Sequence, residues 1–136
     1  MKIKNVLVIL LVSLFLAGCM PKNDSVTAVG EGEYGNVEIH YTISDNTLSE
    51  KILLKFMGED ELTSIVYEVE NPHSLELLNF QGQMGTFEEQ TGWMEGKSKR
   101  SVDKEELIKI INDAQITVEW KIANGNYTET IYLAAK

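Results

Sequence analysis

A two-residue alternation of apolar and polar side chains runs through most of this 136-residue chain and limits what it can fold into. Successive side chains of a β-strand point to opposite faces, so the pattern predicts antiparallel strands with one buried and one solvated face. The apolar members of the three clearest stretches are Val37, Ile39, Tyr41 and Ile43, then Ile52, Leu54 and Phe56, then Ile65, Tyr67 and Val69.

A hairpin is predicted near the C-terminus. Asn124-Gly125 favours a type I′ turn, because both central positions of that turn need a positive φ. The pairs that this register places on one face are Ile122 with Tyr127, Val118 with Ile131 and Ile116 with Leu133. The pairs on the other face are Glu119 with Thr130 and Lys121 with Thr128.

One helix is predicted between the strands. Asp103 and Glu106 have the spacing of a capping box, and acidic residues in a first turn suit the helix dipole. An apolar stripe at helical spacing follows, made of Leu107, Ile110, Ile111 and Ala114. We expect this helix to cover an edge or an end of a sheet.

These elements together favour an all-β fold. About seven short strands, with turn signals every 8 to 12 residues or so, predict a small Ig-like antiparallel β-sandwich. One short helix would precede its C-terminal hairpin. The alternative is an α+β domain in which a single antiparallel sheet is backed by the helix.

The first residues have the features of a secretory signal. Lys2 and Lys4 form a short cationic start, and residues 6–16 are apolar except at position 13. A helix over residues 6–17 would be about 18 Å long, well short of a hydrocarbon core of roughly 30 Å. A cleaved signal is therefore the better interpretation than a permanent transmembrane helix.

The tetrapeptide Leu16-Ala17-Gly18-Cys19 ends this segment and contains the only cysteine of the chain. It resembles the lipobox of bacterial lipoprotein precursors. The resemblance implies diacylglyceryl transfer to the sulfur of Cys19 and cleavage between Gly18 and Cys19. The protein would then be lipid-anchored to a cell membrane, on its extracytoplasmic face. The alternatives are an ordinary cleaved signal peptide and a buried helix with a structural cysteine.

This interpretation divides the chain into three parts. Residues 1–18 are the predicted lipoprotein signal peptide, residues 19–35 a lipidated flexible tether, and residues 36–136 the β-sandwich domain. The formal charge is −9, and loss of Lys2 and Lys4 with the signal peptide makes it −11. A domain this acidic is repelled by the phosphates of nucleic acid and by anionic lipid headgroups. Nucleic acid is therefore excluded as a partner, and membrane contact has to come from the lipid.

Catalytic motifs are absent from the sequence, which has no nucleophile elbow, zinc-protease helix, phosphate-binding glycine loop or cysteine pair. His40 falls on the polar face of a strand and His73 beside a proline. Glu88 and Glu89 adjoin on a predicted strand, so their carboxylates would point to opposite faces. We expect no enzyme activity, no cofactor and no metal.

The segment from Phe80 to Arg100 is the best candidate for a binding surface. It combines four glycines with tryptophan, methionine and arginine, which are enriched at interface cores, and it contains the basic cluster of Lys97, Lys99 and Arg100. Its candidate residues are Trp93, Met94, Lys97, Lys99 and Arg100. If the surface exists, Trp93 should be partly exposed while Trp120 is buried. The alternative is two ordinary strands with Trp93 in the core and a basic turn before the helix.

Two functions are compatible with these features. The favoured one is a non-catalytic, lipid-anchored interaction module that binds a protein or another envelope component. The other is a lipoprotein that captures a small molecule or an ion for a transporter.

Overall fold

The computed structural model describes residues 23–72, 78, 80–100 and 102–136. Within them the chain forms nine strands and one helix. The strands are β1 (Asn23–Glu31), β2 (Gly35–Ser44), β3 (Thr47–Phe56), β4 (Leu62–Glu70), β5 (Gln81–Met84), β6 (Thr91–Ser98), β7 (Gln115–Ile122), β8 (Gly125–Tyr132) and β9 (Ala134–Ala135). The helix, α1 (Lys104–Asn112), lies between β6 and β7.

The strands form two antiparallel sheets with the orders β6-β3-β2-β1-β9 and β5-β4-β7-β8. The alternating apolar residues of both sheets are buried and form one continuous core. Trp120, Tyr41 and Tyr67 are the largest fully buried side chains in that core. This arrangement confirms the predicted all-β, Ig-like antiparallel sandwich with one short helix.

The predicted tether is wrong over most of its length, because residues 23–31 form β1. This strand pairs with β2 along its whole length, from Asn23 opposite Ser44 to Glu31 opposite Asn36. Its core-facing residues are small, so its alternation is weak in the sequence, although Val26 and Ala28 are buried. The signal peptide, Gly18 and Cys19 lie outside the described residues, and their assignment stays a prediction.

The C-terminal hairpin forms, but its register differs by two residues from the prediction. Ile122 lies opposite Gly125 and Trp120 opposite Tyr127, so the turn consists of Ala123 and Asn124. Gly125 has a positive φ of 154°, whereas Asn124 does not, and the turn is therefore not type I′. A shift of two residues keeps every side chain on its face, so the predicted faces are correct.

Tertiary packing explains the observed register. Trp120 lies 5.7 Å from the ring of Phe56, and Tyr127 lies 6.1 Å from the same ring, measured between centroids. Opposing Trp120 and Tyr127 on neighbouring strands brings both rings to Phe56, and aromatic groups at these distances attract one another. In the predicted register Tyr127 would instead lie opposite Ile122.

The helix forms as the sequence predicts. The Asp103 carboxylate accepts a hydrogen bond from the Glu106 backbone N–H at 2.7 Å, the N-cap half of a capping box. All four residues of the apolar stripe are buried, and α1 contacts β1 and β9. No helix in the described residues is long and apolar enough to cross a membrane.

Four connections gather at one end of the sandwich, which we call the loop end: residues 32–34, 57–61, 85–90 and 123–124. Backbone hydrogen bonds join them, from Met57 N to Tyr34 O at 2.8 Å and from Phe56 N to Gln90 O at 2.9 Å. At the other end β1 begins, β2 turns into β3 and β6 ends; we call it the β1-start end.

Glu88 and Glu89 do not share a strand, contrary to the prediction. Glu88 pairs with Thr91 across a two-residue turn, with backbone bonds of 3.2 and 3.0 Å. Glu89 and Gln90 form that turn with positive φ values of 50° and 61°. The conformation is that of a type I′ turn, formed without the glycine or asparagine by which such turns are recognised in a sequence.

Candidate interaction surface

Strand alternation separates the residues proposed for the binding surface. Strand β6 is at the edge of the five-stranded sheet, and Trp93 and Lys97 point away from the core. Met94 points inward instead, where its sulfur accepts a hydrogen bond from the Tyr67 hydroxyl at 3.3 Å. Met94 is therefore part of the packing and not of the outer surface, which corrects that part of the prediction.

Trp93 is 57% exposed, whereas Trp120 is 0% exposed, in agreement with the expected contrast. Trp93 lies opposite Leu53 on β3, and the Lys51 ammonium lies 5.5 Å from the centre of its ring. A lysine at this distance is attracted to the ring by a cation–π interaction. The indole is thus held on the sheet surface while most of it remains open to solvent.

A shallow depression of about 590 Å³ lies beside Trp93 on the same sheet face. Its lining includes His40, Thr42, Ser49, Lys51, Glu95 and Lys97. Lys51 and Glu95 form an ion pair of 3.9 Å across the strands. Positive, negative and hydroxyl groups are mixed in this depression, so it can form hydrogen bonds. The ring of Trp93 adds a flat aromatic face beside it.

His40 lies between a hydroxyl and a carboxylate on this face. Its Nε2 is 2.7 Å from Glu38 Oε1, and its Nδ1 is 3.3 Å from Thr27 Oγ1. The order hydroxyl, imidazole, carboxylate is that of a nucleophilic triad. The partners were missed in the sequence because Thr27 belongs to the stretch interpreted as a tether and Glu38 lies two residues away on the same strand.

Among the described residues, the backbone around His40 does not provide an oxyanion site. Both Thr27 and His40 lie on paired strands, where backbone N–H groups bond to neighbouring strands and are not available to stabilise an oxyanion. The side chains of His40 and Glu38 are about half exposed, at 46% and 52%. His73 lies outside the described residues.

The opposite sheet also carries a candidate site. A second open depression, of about 500 Å³, lies on the outer face of the four-stranded sheet around Val66, Gln83 and Glu119. Among the described residues, no three or more His, Cys, Asp or Glu side chains are grouped closely enough to hold a metal ion.

A buried carboxylate, that of Glu50, lies on β3 next to β6. Glu50 is 3% exposed and lies opposite Tyr41 on one side and Gly96 on the other. Burial, reinforced by the charge of Glu50, raises the pKa of Tyr67 to about 12 and that of Tyr41 well above its usual 10.0. Both phenols are therefore neutral at physiological pH.

The basic cluster occupies the end of β6. Lys97 and Lys99 are exposed and Arg100 is half-buried. Ser98 lies opposite Leu48, and the register continues through Ile43 to Asp24 near the start of β1. The cluster is therefore at the β1-start end, about three strand spacings from β1 itself.

Comparisons with protein-family models, characterised proteins and solved structures find no significant match to this chain. A functional assignment therefore depends on the exposed residues and on the N-terminal sequence. Of the five predicted site residues, the outer face of β6 brings together Trp93 and Lys97, and Lys99 and Arg100 follow at the strand's end.

Proposed function

We propose that this protein is a lipid-anchored, extracytoplasmic module that binds a protein or another envelope component without catalysing a reaction. The lipobox-like sequence at Cys19 supports the anchor and the location. The observation that carries the binding role is the exposure of Trp93. An uncovered tryptophan on a sheet face is a typical centre of a protein–protein contact, because tryptophan dominates interface energetics.

The surroundings of Trp93 support a protein or polymer surface more than a small molecule. Sites for small molecules bury most of their ligand in a cleft or cavity. Both depressions described above are open on outer sheet faces. A broad partner could cover Trp93, Leu53 and the mixed charges beside them together. Capture of a small molecule or an ion for a transporter is therefore the second candidate.

The anchor is tested by labelling growing cells with palmitate. We expect label on the wild-type protein and none on Cys19→Ala, because the thiol is the only acceptor that the lipobox supplies. Label that persists in Cys19→Ala, or an unlabelled wild type, would contradict the lipoprotein assignment.

The binding surface is tested by photo-crosslinking in intact cells. A photoreactive amino acid replaces Leu53, beside Trp93, or Thr128, on the outer face of the other sheet. We expect a discrete crosslinked species from position 53 and none from position 128. Adding Trp93→Ala should reduce the species at least tenfold, since an interface tryptophan of this kind contributes about 2 kcal/mol or more.

The control is Tyr132→Ala, which removes another aromatic residue, 77% exposed, from the opposite sheet. It should leave the crosslink from position 53 unchanged. Equal crosslinking from positions 53 and 128, or insensitivity to Trp93→Ala, would place the partner elsewhere. A large thermal stabilisation by one small molecule, without any crosslink, would favour the capture function.

A further inference from the structure

The position of β1 determines how far the folded domain can be from a lipid on Cys19. Only three residues separate Cys19 from Asn23, the first residue of β1. Four fully extended Cα–Cα steps span at most about 14 Å. A lipid on Cys19 would therefore hold the start of β1 within about that distance of the anchored residue.

The β1-start end contains the basic cluster as well as Asn23. The end of β6 lies three strands across from β1 in the sheet order, or about 14 Å at roughly 4.8 Å per strand. Lys97, Lys99 and Arg100 are thus close enough to reach the same patch of headgroups. Asp24 and Asp45 lie at this end too. The chain that continues from β6 into α1 adds Asp103, Lys104, Glu105 and Glu106, so the charge of the β1-start end is mixed.

The loop end is far more acidic. Seven exposed carboxylates lie there, on Glu31, Glu33, Glu59, Asp60, Glu61, Glu88 and Glu89. The nearby basic residues in the described chain are Lys55 and Lys121. Strand β2 has ten residues, so the two ends are about 30 Å apart, well beyond a Debye length of roughly 10 Å. Each end therefore interacts with a charged surface separately.

We propose that the β1-start end faces the bilayer, with Lys97, Lys99 and Arg100 against anionic phospholipid headgroups and the loop end projecting away. This proposal rests on the lipid anchor of the proposed function. The net charge alone predicted repulsion from anionic headgroups. The distribution of charge changes that expectation. The anchor holds the β1-start end, whose charge is mixed, next to the headgroups, and it keeps the acidic loop end beyond the range of the membrane surface potential.

The orientation also gives the outer face of the five-stranded sheet a defined position. Its strands would run away from the bilayer, so Trp93 would stand to the side, nearer the loop end than Lys97 on the same strand. A partner could then approach parallel to the membrane.

The test uses the full lipidated protein in vesicles that carry a headgroup quencher. Asn46→Cys places a fluorophore in the turn at the β1-start end, and Asn124→Cys places it in the turn at the loop end. Cys19 is the only natural cysteine and its sulfur is blocked by lipid, so each label attaches to a single thiol. We expect position 46 to be quenched at least threefold more than position 124 in phosphatidylglycerol vesicles.

The contribution of the basic cluster is tested with charge-matched variants. Lys97→Ser with Lys99→Ser should reduce the quenching at position 46 to the level seen in phosphatidylcholine vesicles. Lys55→Ser with Lys121→Ser removes the same charge near the loop end and should not reduce it. High salt should reduce the quenching at position 46 of the wild-type protein, as Lys97→Ser with Lys99→Ser does. This measurement does not depend on the folding of a variant.

The outcomes distinguish the two proposals. Equal quenching at both positions of a lipidated protein overturns the orientation alone. So does quenching that is unchanged by headgroup charge and by the substitutions at Lys97 and Lys99. Purified protein without a lipid on Cys19, determined by its mass, overturns the anchor together with the orientation.

Discussion

At the scale of single residues, the Glu129 carboxylate ties the two sheets together. It lies on β8 and accepts hydrogen bonds from the indole N–H of Trp120 at 2.9 Å and from the backbone N–H of Glu33 at 2.6 Å. The backbone N–H of Tyr34 also donates to it, at 3.2 Å. These donors lie on the partner strand and in the β1–β2 turn of the other sheet, so one side chain serves both sheets.

We expect Glu129→Gln to lower the free energy of unfolding by about 1–3 kcal/mol, because an amide nitrogen cannot accept the bonds that a carboxylate oxygen accepts. The loss is measured by urea denaturation. Glu31→Gln makes the same charge change at an exposed position of the same end and should stay within about 0.5 kcal/mol of the wild type. Equal losses in both variants would mean that Glu129 acts through charge alone.

At the scale of elements, turns differ in how well the sequence predicts them. The turn at Ala123 and Asn124 takes its position from strand packing, although Asn124-Gly125 is the stronger local signal. The turn at Glu89 and Gln90 forms against local preference. Gln90 is held there by tertiary contacts, since its side chain donates to Asp60 O at 2.7 Å and its own carbonyl accepts from Phe56 N at 2.9 Å.

We expect Glu89→Gly to stabilise the protein by about 0.5–1 kcal/mol, because glycine adopts a positive φ without the steric cost that glutamate bears. The matched control is Glu88→Gly, whose backbone is paired with Thr91, and which should be neutral or destabilising. Thermal unfolding of both variants is the measurement. Destabilisation by Glu89→Gly would show that the Glu89 side chain makes a contact that outweighs the backbone strain.

At the scale of the whole molecule, two buried tyrosines make the stability of the fold depend on pH in the alkaline range. Tyr41 and Tyr67 are buried around Glu50, and burial raises the pKa of Tyr67 to about 12, above its unfolded value of 10.0. The phenols lose protons more readily in the unfolded chain than in the folded one. Their contribution to stability is therefore complete below about pH 10 and is lost as the pH rises towards 12.

We expect the melting temperature to change little through the tyrosines up to about pH 9.5 and to fall steeply between about pH 10 and 12. Tyr67→Phe should reduce the steepness of that fall, because it removes one of the ionising groups. Tyr132→Phe changes a solvent-exposed ring and should leave the fall as it is. Identical profiles for all three proteins would assign the alkaline unfolding to other groups.

The sequence by itself determined the features that depend on neighbours along the chain. Alternation identified which residues of β2, β3 and β4 face the core, because the two faces of a strand follow directly from backbone geometry. The capping pattern at Asp103 and the apolar stripe after it located α1, because both depend on residues three or four positions apart in the chain. The sequence left Trp93 open between an exposed surface and the core, and the structure shows it 57% exposed.

Only the tertiary structure decided the features that depend on partners far along the chain. Residues 23–31 become a strand because β2 and the core accept small side chains there, and the hairpin register follows the contacts of Trp120 with Phe56. The meeting of the basic cluster with the start of β1 at one end of the sheet likewise depends on strand order. Strand order is set by long-range pairing and packing, and neither is encoded in a local pattern.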